Sequence, residues 1–170
     1  MSNTKRIVFL GIMVSQALVL SIIEAWIPMP TVMMPGVKLG LANIITLIVI
    51  MFFGYKEAFL VVFARCILAA FFGGGLIIFL FSIAGGLLST GVMAFLYKKM
   101  SKVFGVLGIS VAGSISHNLG QLTMASFIMK ELSVMTYLPI LLISGIIMGC
   151  FVGLCSGFLA KALKKTGILL

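Results

Sequence analysis

The chain has 170 residues, of which 62% are hydrophobic and only 9% are charged, and its formal net charge is +9. Soluble domains carry about 25% charged residues, so this composition excludes a soluble globular protein and indicates an integral membrane protein. A transmembrane helix needs about 20 residues, so the chain has room for about six helices and no separate soluble domain. We therefore predict an all-α fold with a single transmembrane domain over residues 1–170.

Apolar runs separated by polar or glycine-rich breaks predict where these helices lie. The first run follows Lys5 and Arg6 and is too long for a typical signal-peptide core, so we interpret it as a retained helix. Prolines and a glycine in residues 28–36 predict a loop after it, and the apolar residues of this loop indicate packing against the protein or the interface. The six predicted helices cover residues 7–27, 38–53, 57–72, 76–97, 106–129 and 139–160.

The basic residues predict the orientation, because cytoplasmic loops of membrane proteins carry an excess of Lys and Arg. With six spans and both termini in the cytoplasm, nine of the twelve basic residues fall on the inner side. Lys38 and Lys130 fall on the outer side, and Arg65 lies within the third helix. The positive charge thus mainly indicates how the chain is oriented in the membrane. It adds a weak attraction to anionic lipid, and we expect no nucleic-acid binding.

The fifth predicted helix carries a polar face within apolar sequence. At helical spacing, Ser110, Ser114, His117 and Gln121 share one face, and Asn118 lies beside them. Bilayer hydrocarbon offers these groups no hydrogen bonds, so the face must contact protein or water. His117 is the single histidine of the chain.

Other polar residues fall at a similar depth, in the middle and outer parts of the predicted helices. A charged residue at mid-bilayer costs about 2.5–3.5 kcal/mol on insertion scales, so Arg65 is expected to have a partner. Two interpretations remain open: a structural ion pair between Arg65 and Glu24 with polar contacts between helices, or a pocket that opens outward. In the second case Trp26 would cover the apolar part of a ligand. The candidate ligand-binding residues are Glu24, Lys38, Asn43, Arg65, His117, Asn118 and Gln121.

Small residues recur at every fourth position in three predicted helices, which lets helix backbones approach closely. Helix six carries glycine at 145, 149, 153 and 157, and helix four has a similar series at 82, 86, 90 and 94. We interpret the series on helices four and six as contacts between helices within the chain. For Ala17, Ser21 and Ala25 on helix one, internal packing and docking of another membrane subunit are equally open.

Missing residue types narrow the possible chemistry. The chain has no aspartate, and its acidic residues are Glu24, Glu57 and Glu131. Magnesium-dependent diphosphate chemistry uses carboxylates to hold the metal, so we expect neither a metal site nor enzymatic activity. No phosphate-binding loop of the GxxxxGK[ST] type occurs, so the chain itself is not expected to hydrolyse ATP by that route.

Four segments carry a resemblance to a known family: residues 35–43 (PGVKLGLAN), 64–65 (AR), 85–89 (GGLLS) and 116–121 (SHNLGQ). In a six-helix chain of this size they resemble the bacterial family named heptaprenyl diphosphate synthase component I, also called the Gx transporter family. That family is grouped with the substrate-binding S components of energy-coupling factor (ECF) vitamin transporters. The aspartate-rich motifs of prenyl synthases are absent from this chain.

The resemblance implies an S component in the bacterial cell membrane that captures a small vitamin- or precursor-like molecule from outside. It would dock through helix one onto a transmembrane coupling subunit driven by two ATPases, and ATP would bind only to those ATPases, with no cofactor on this chain. S components share an Ala-xxx-Ala pattern on helix one, which Ala17, Ser21 and Ala25 match with a serine at the middle step.

Two alternatives to an S component remain. One is a membrane accessory subunit of isoprenoid or quinone-precursor biosynthesis that transports nothing. The other is a small secondary transporter, although the inner half offers little polarity for alternating access.

Overall fold

The computed structural model describes residues 3–26 and 38–166, and these residues form helices without strands. The predicted loop of residues 28–36 lies outside the described residues. A π-helical turn, Ala70–Gly74, and a 3-10 helix, Leu132–Tyr137, connect the longer elements. The α-helices are α1 (Asn3–Trp26), α2 (Asn43–Phe52), α3 (Tyr55–Ala69), α4 (Gly75–Met129) and α5 (Leu138–Lys165).

Long apolar helices dominate the described residues. Three stretches are long and apolar enough to cross a membrane, namely Asn3–Trp26, Gly75–Met129 and Leu132–Lys165. Their large apolar side chains are widely exposed, as at Phe127 and Phe158. Apolar side chains on the outside of a helical protein are expected where lipid is the solvent. The structure is therefore that of an all-helical membrane protein.

α4 is a hairpin rather than one straight helix. A straight helix of this length would measure about 80 Å, but backbone angles leave the helical region at Met100 and Gly105. We call the two arms α4a (residues 75–99) and α4b (residues 106–129). A Cβ atom added to Gly120 would lie 2.7 Å from the Ala84 carbonyl oxygen, so the arms are in close antiparallel contact. The predicted helices 76–97 and 106–129 correspond to these two arms.

α5 packs antiparallel against α4b through the predicted glycine series. A Cβ atom on Gly149 would lie 2.5 Å from Val111 Cα, and one on Gly153 would lie 2.9 Å from Leu107 Cα. Gly145 adjoins Ile115 in the same way, whereas Gly157 has no atom within 4 Å of its added Cβ position. Three of the four glycines thus form a helix–helix contact, and the fourth faces away from it.

α2 is shorter than the predicted helix 38–53 because residues 38–42 are not helical. Gly40 has a φ of 89°, and its N–H donates to the Glu24 carboxylate rather than to a helical carbonyl. The Lys38 N–H likewise donates to Gln121 Oε1 at 3.0 Å. Side chains from α1 and α4b therefore accept hydrogen bonds from backbone N–H groups that precede α2.

Two apolar clusters lie toward opposite ends of the bundle. The larger one surrounds α2 and includes Phe9 and Phe53, whose rings are 5.3 Å apart. Beside it, Arg6 of α1 forms an ion pair with Glu57 of α3. The smaller cluster joins Phe81 and Leu122 to the 3-10 helix through Val134. The polar residues discussed next lie between these clusters.

Candidate ligand-binding site

Six of the seven candidate residues are linked to one another in the interior. Glu24 binds the segment 38–42, and this segment places Gly40 beside Asn43 and His117. His117 contacts Gln121, which in turn binds the Lys38 backbone. Arg65 and Lys38 are both close enough to the Glu24 carboxyl to interact with it electrostatically. Residues from α1, α2, α3 and α4b therefore converge on one polar cluster.

Gln121 determines the hydrogen-bonding state of His117. Its Oε1 accepts from the Lys38 N–H, so its Nε2 is the amide nitrogen that lies 3.1 Å from His117 Nε2. An amide nitrogen can only donate, so His117 Nε2 accepts and the proton of a neutral imidazole is on Nδ1. Gly85 borders the ring, because a Cβ atom there would lie 3.0 Å from His117 Cε1. A larger residue at position 85 would displace the imidazole.

Arg65 is buried, with 3% of its surface exposed, and it is only partly satisfied. Its Nη1 donates to Ser21 Oγ at 2.8 Å, whereas Nε and Nη2 have no hydrogen-bond partner in the described part of the chain. Among these residues, the hydrogen-bond partner of Arg65 is therefore Ser21. Arg65 forms no direct ion pair with Glu24 there. Gly86 lies against the guanidinium, since its added Cβ position is 3.3 Å from Nη2.

Both asparagines also keep unpartnered polar atoms. Within residues 3–26 and 38–166, neither side-chain atom of Asn43 has a partner, and the Asn118 Oδ1 atom lacks one. The Asn118 Nδ2 group donates to the Leu141 carbonyl at 2.7 Å, so this side chain joins α4b to the start of α5. Buried polar atoms are almost always hydrogen-bonded, so these unpartnered atoms are exceptions that call for a physical explanation.

The structure favours internal packing for the helix-one residues. Ala17 and Ser21 are 0% and 1% exposed and are covered by this chain, while Ala25 is exposed. A surface that is already covered cannot receive another subunit, so the predicted docking role is not supported for Ala17 and Ser21. Trp26 is 81% exposed and does not cover the polar cluster as expected.

Some residues of the site were not predicted as such. The sequence places Ser21 in a small-residue series that fits internal packing or subunit docking, and it does not mark Gly40, Gly85 or Gly86 as site residues. All three glycines lie inside segments that carried the family resemblance. A glycine leaves room for close approach of a neighbouring side chain, so glycines within these segments were the signal available in the sequence.

The chain matches a known protein family over most of its length. Residues 13–159 match the family model described as heptaprenyl diphosphate synthase component I. The chain belongs to this family. No curated protein and no solved structure matches the chain. The family resemblance predicted from the sequence is confirmed. The polar cluster is built largely from the segments that carried it, namely residues 35–43, 64–65, 85–89 and 116–121.

Glu24 should stabilise the folded protein through its hydrogen bond to Gly40. In Glu24→Ala the buried Gly40 N–H loses its acceptor, so we expect a loss of about 1–3 kcal/mol in unfolding free energy. Glu24→Gln keeps an acceptor oxygen and should lose less. Thermal unfolding of the detergent-solubilised protein measures both. Equal losses in the two variants would show that the charge, and not the hydrogen bond, stabilises residues 38–42.

Proposed function

We propose that this protein is the substrate-binding membrane subunit, or S component, of an ECF-type importer in the bacterial cell membrane. It captures a small vitamin- or precursor-like organic molecule from the outer side. The observation that carries the proposal is the cluster of buried polar groups with unpartnered atoms on Asn43 and Arg65. Such groups are costly in a protein interior unless a ligand completes their hydrogen bonds.

The position of the cluster supports access from outside. Glu24 lies near the C-terminal end of α1, whereas Arg6 and its partner Glu57 lie at the opposite end of the bundle. The positive-inside rule places the Arg6 end in the cytoplasm, with both termini inside and six spans counted with the arms of α4. The cluster then lies in the outer half of the membrane.

Import requires energy from other subunits. We propose a transmembrane coupling subunit and two ATPases as partners, with ATP bound only by the latter. Because Ala17 and Ser21 are buried, the coupling subunit would contact another face of α1, where Ile12, Val19 and Ile23 are exposed.

The test is mass spectrometry of small molecules that remain bound to the purified protein. We expect a near-stoichiometric polar metabolite on the wild type and its loss from the double variant Arg65→Ala, His117→Ala. Lys102→Ala is the matched control, because Lys102 is exposed and lies between Met100 and Gly105, where α4 turns from one arm to the other. If the folded double variant retains the same molecule, the cluster is structural and the proposal fails.

The family name favours a second candidate, a non-transporting accessory subunit of heptaprenyl diphosphate synthesis. In that role the chain would hold a soluble synthase component or a lipid substrate at the membrane. Co-purification separates the two candidates. Recovery of coupling and ATPase subunits supports the importer, whereas recovery of an aspartate-rich soluble synthase, or of a prenyl diphosphate retained by both wild type and double variant, supports the accessory role.

A further inference from the structure

We infer that the ligand of this site carries a carboxylate, which binds side-on to the Nε and Nη2 atoms of Arg65. This inference rests on the proposed binding function and specifies the chemical class of the ligand. Ser21 holds the third nitrogen of the guanidinium and so positions the other two.

The geometry of the guanidinium carries this assignment. Nε–H and one N–H of Nη2 point in the same direction along one edge of the planar group, and together they match the two oxygens of a carboxylate. In the described residues these two nitrogens are the ones without a partner, while Nη1 is used by Ser21. The two unpartnered nitrogens therefore form one complete two-donor edge, which we call the open edge, rather than two unrelated donors.

Burial strengthens the case for a charged ligand group. Arginine carries a permanent positive charge in proteins. The hydrogen-bond partner of Arg65 among the described residues is one neutral hydroxyl. An uncompensated charge in a protein interior is strongly unfavourable, and an anion on the open edge would compensate it. Lys38 adds a second positive charge near the same site, and Glu24 supplies the acidic group. Cationic side chains thus outnumber carboxylates, which leaves an excess that an anion can neutralise.

A carboxylate fits better than a phosphate for two reasons. It is planar, as the open edge is, and it carries a single negative charge. Removing a group with several charges from water costs more, and the site has few donors to replace that hydration. Asn43 adds both a donor and an acceptor beside Gly40, enough to bind a further polar group of the same molecule.

The experiment uses the full chain purified in detergent and the molecules released from it on denaturation. Tandem mass spectrometry identifies the acid group, since a carboxylate loses carbon dioxide and a phosphate ester releases metaphosphate. The released fraction is then offered by equilibrium dialysis to the wild type, Arg65→Lys, Ser21→Ala and the control Lys102→Ala. Arg65→Lys keeps the positive charge but removes the two-donor edge.

We expect a carboxylate-bearing molecule bound to the wild type and to the control. Arg65→Lys should bind it with roughly ten- to hundredfold lower affinity. Ser21→Ala should weaken binding less, because the guanidinium remains and only its orientation is loosened. Equal binding by wild type and Arg65→Lys would overturn the role of the open edge. A bound polar molecule without a carboxylate would overturn the ligand class and leave the binding function standing. A wild-type protein with no bound polar molecule would contradict the binding function itself.

Discussion

Gly149→Ala should be the most destabilising single-methyl change in the α4b–α5 contact. The added Cβ would lie 2.5 Å from Val111 Cα, a backbone atom that can move only if the two helices separate. Overpacking of this kind costs about 1–3 kcal/mol and sometimes more. The expected result is a clear fall in the thermal unfolding temperature of the detergent-solubilised protein.

Gly157→Ala is the matched control for this prediction. It belongs to the same glycine series on α5, but no atom lies within 4 Å of its added Cβ. Alanine is a better helix former than glycine by about 1 kcal/mol, so the control should be neutral or slightly stabilised. If both variants lose the same stability, the series does not act through contact with α4b.

Gly40→Ala should impair both stability and ligand binding. The φ of 89° at Gly40 is unfavourable for any residue with a Cβ. The new atom would also lie 2.9 Å from Asn43 Nδ2 and 3.2 Å from His117 Cδ2. Backbone strain of this kind costs about 1–3 kcal/mol. Unfolding temperature and the amount of co-purified small molecule are the two measurements.

Gly105→Ala separates the effect of backbone strain from the effect of displacing residues of the polar cluster. Gly105 also has a positive φ, 57°, but its added Cβ would meet no atom within 4 Å. We expect this variant to lose stability and to keep the full amount of bound molecule. Normal binding by Gly40→Ala would mean that Asn43 and His117 do not contact the ligand.

The all-helical fold could be predicted from the sequence because lipid imposes a simple rule on composition. Long apolar runs interrupted by Lys, Gly or Pro have few alternatives to helices. The buried face of Ser110, Ser114, His117 and Gln121 followed from helical spacing for the same reason. The grouping of Glu24, Arg65 and His117 was expected from their similar depth along separate helices, and the structure brings them together.

The remaining features depend on contacts between segments that are distant in sequence. Residues 38–42 look helical by composition, but the N–H groups of Lys38 and Gly40 bond to Gln121 and Glu24, and no local sequence pattern predicts these contacts. Likewise, Ser21 fits a small-residue docking pattern until its bond to Arg65 is seen. Spacing on one helix shows which residues share a face, but not which neighbouring helix covers that face.

The burial of α2 determines when the core of the protein can form during synthesis. Ile44 to Ile50 are all buried, and the Ile44 carbonyl accepts a hydrogen bond from Ser156, which follows 112 residues later. A nascent chain therefore carries α2 through most of translation before its partner in α5 has been synthesised. A ribosome-stalled chain that ends before Leu138 should expose α2 to lipid or chaperones, and the core should close only after the last helix leaves the ribosome.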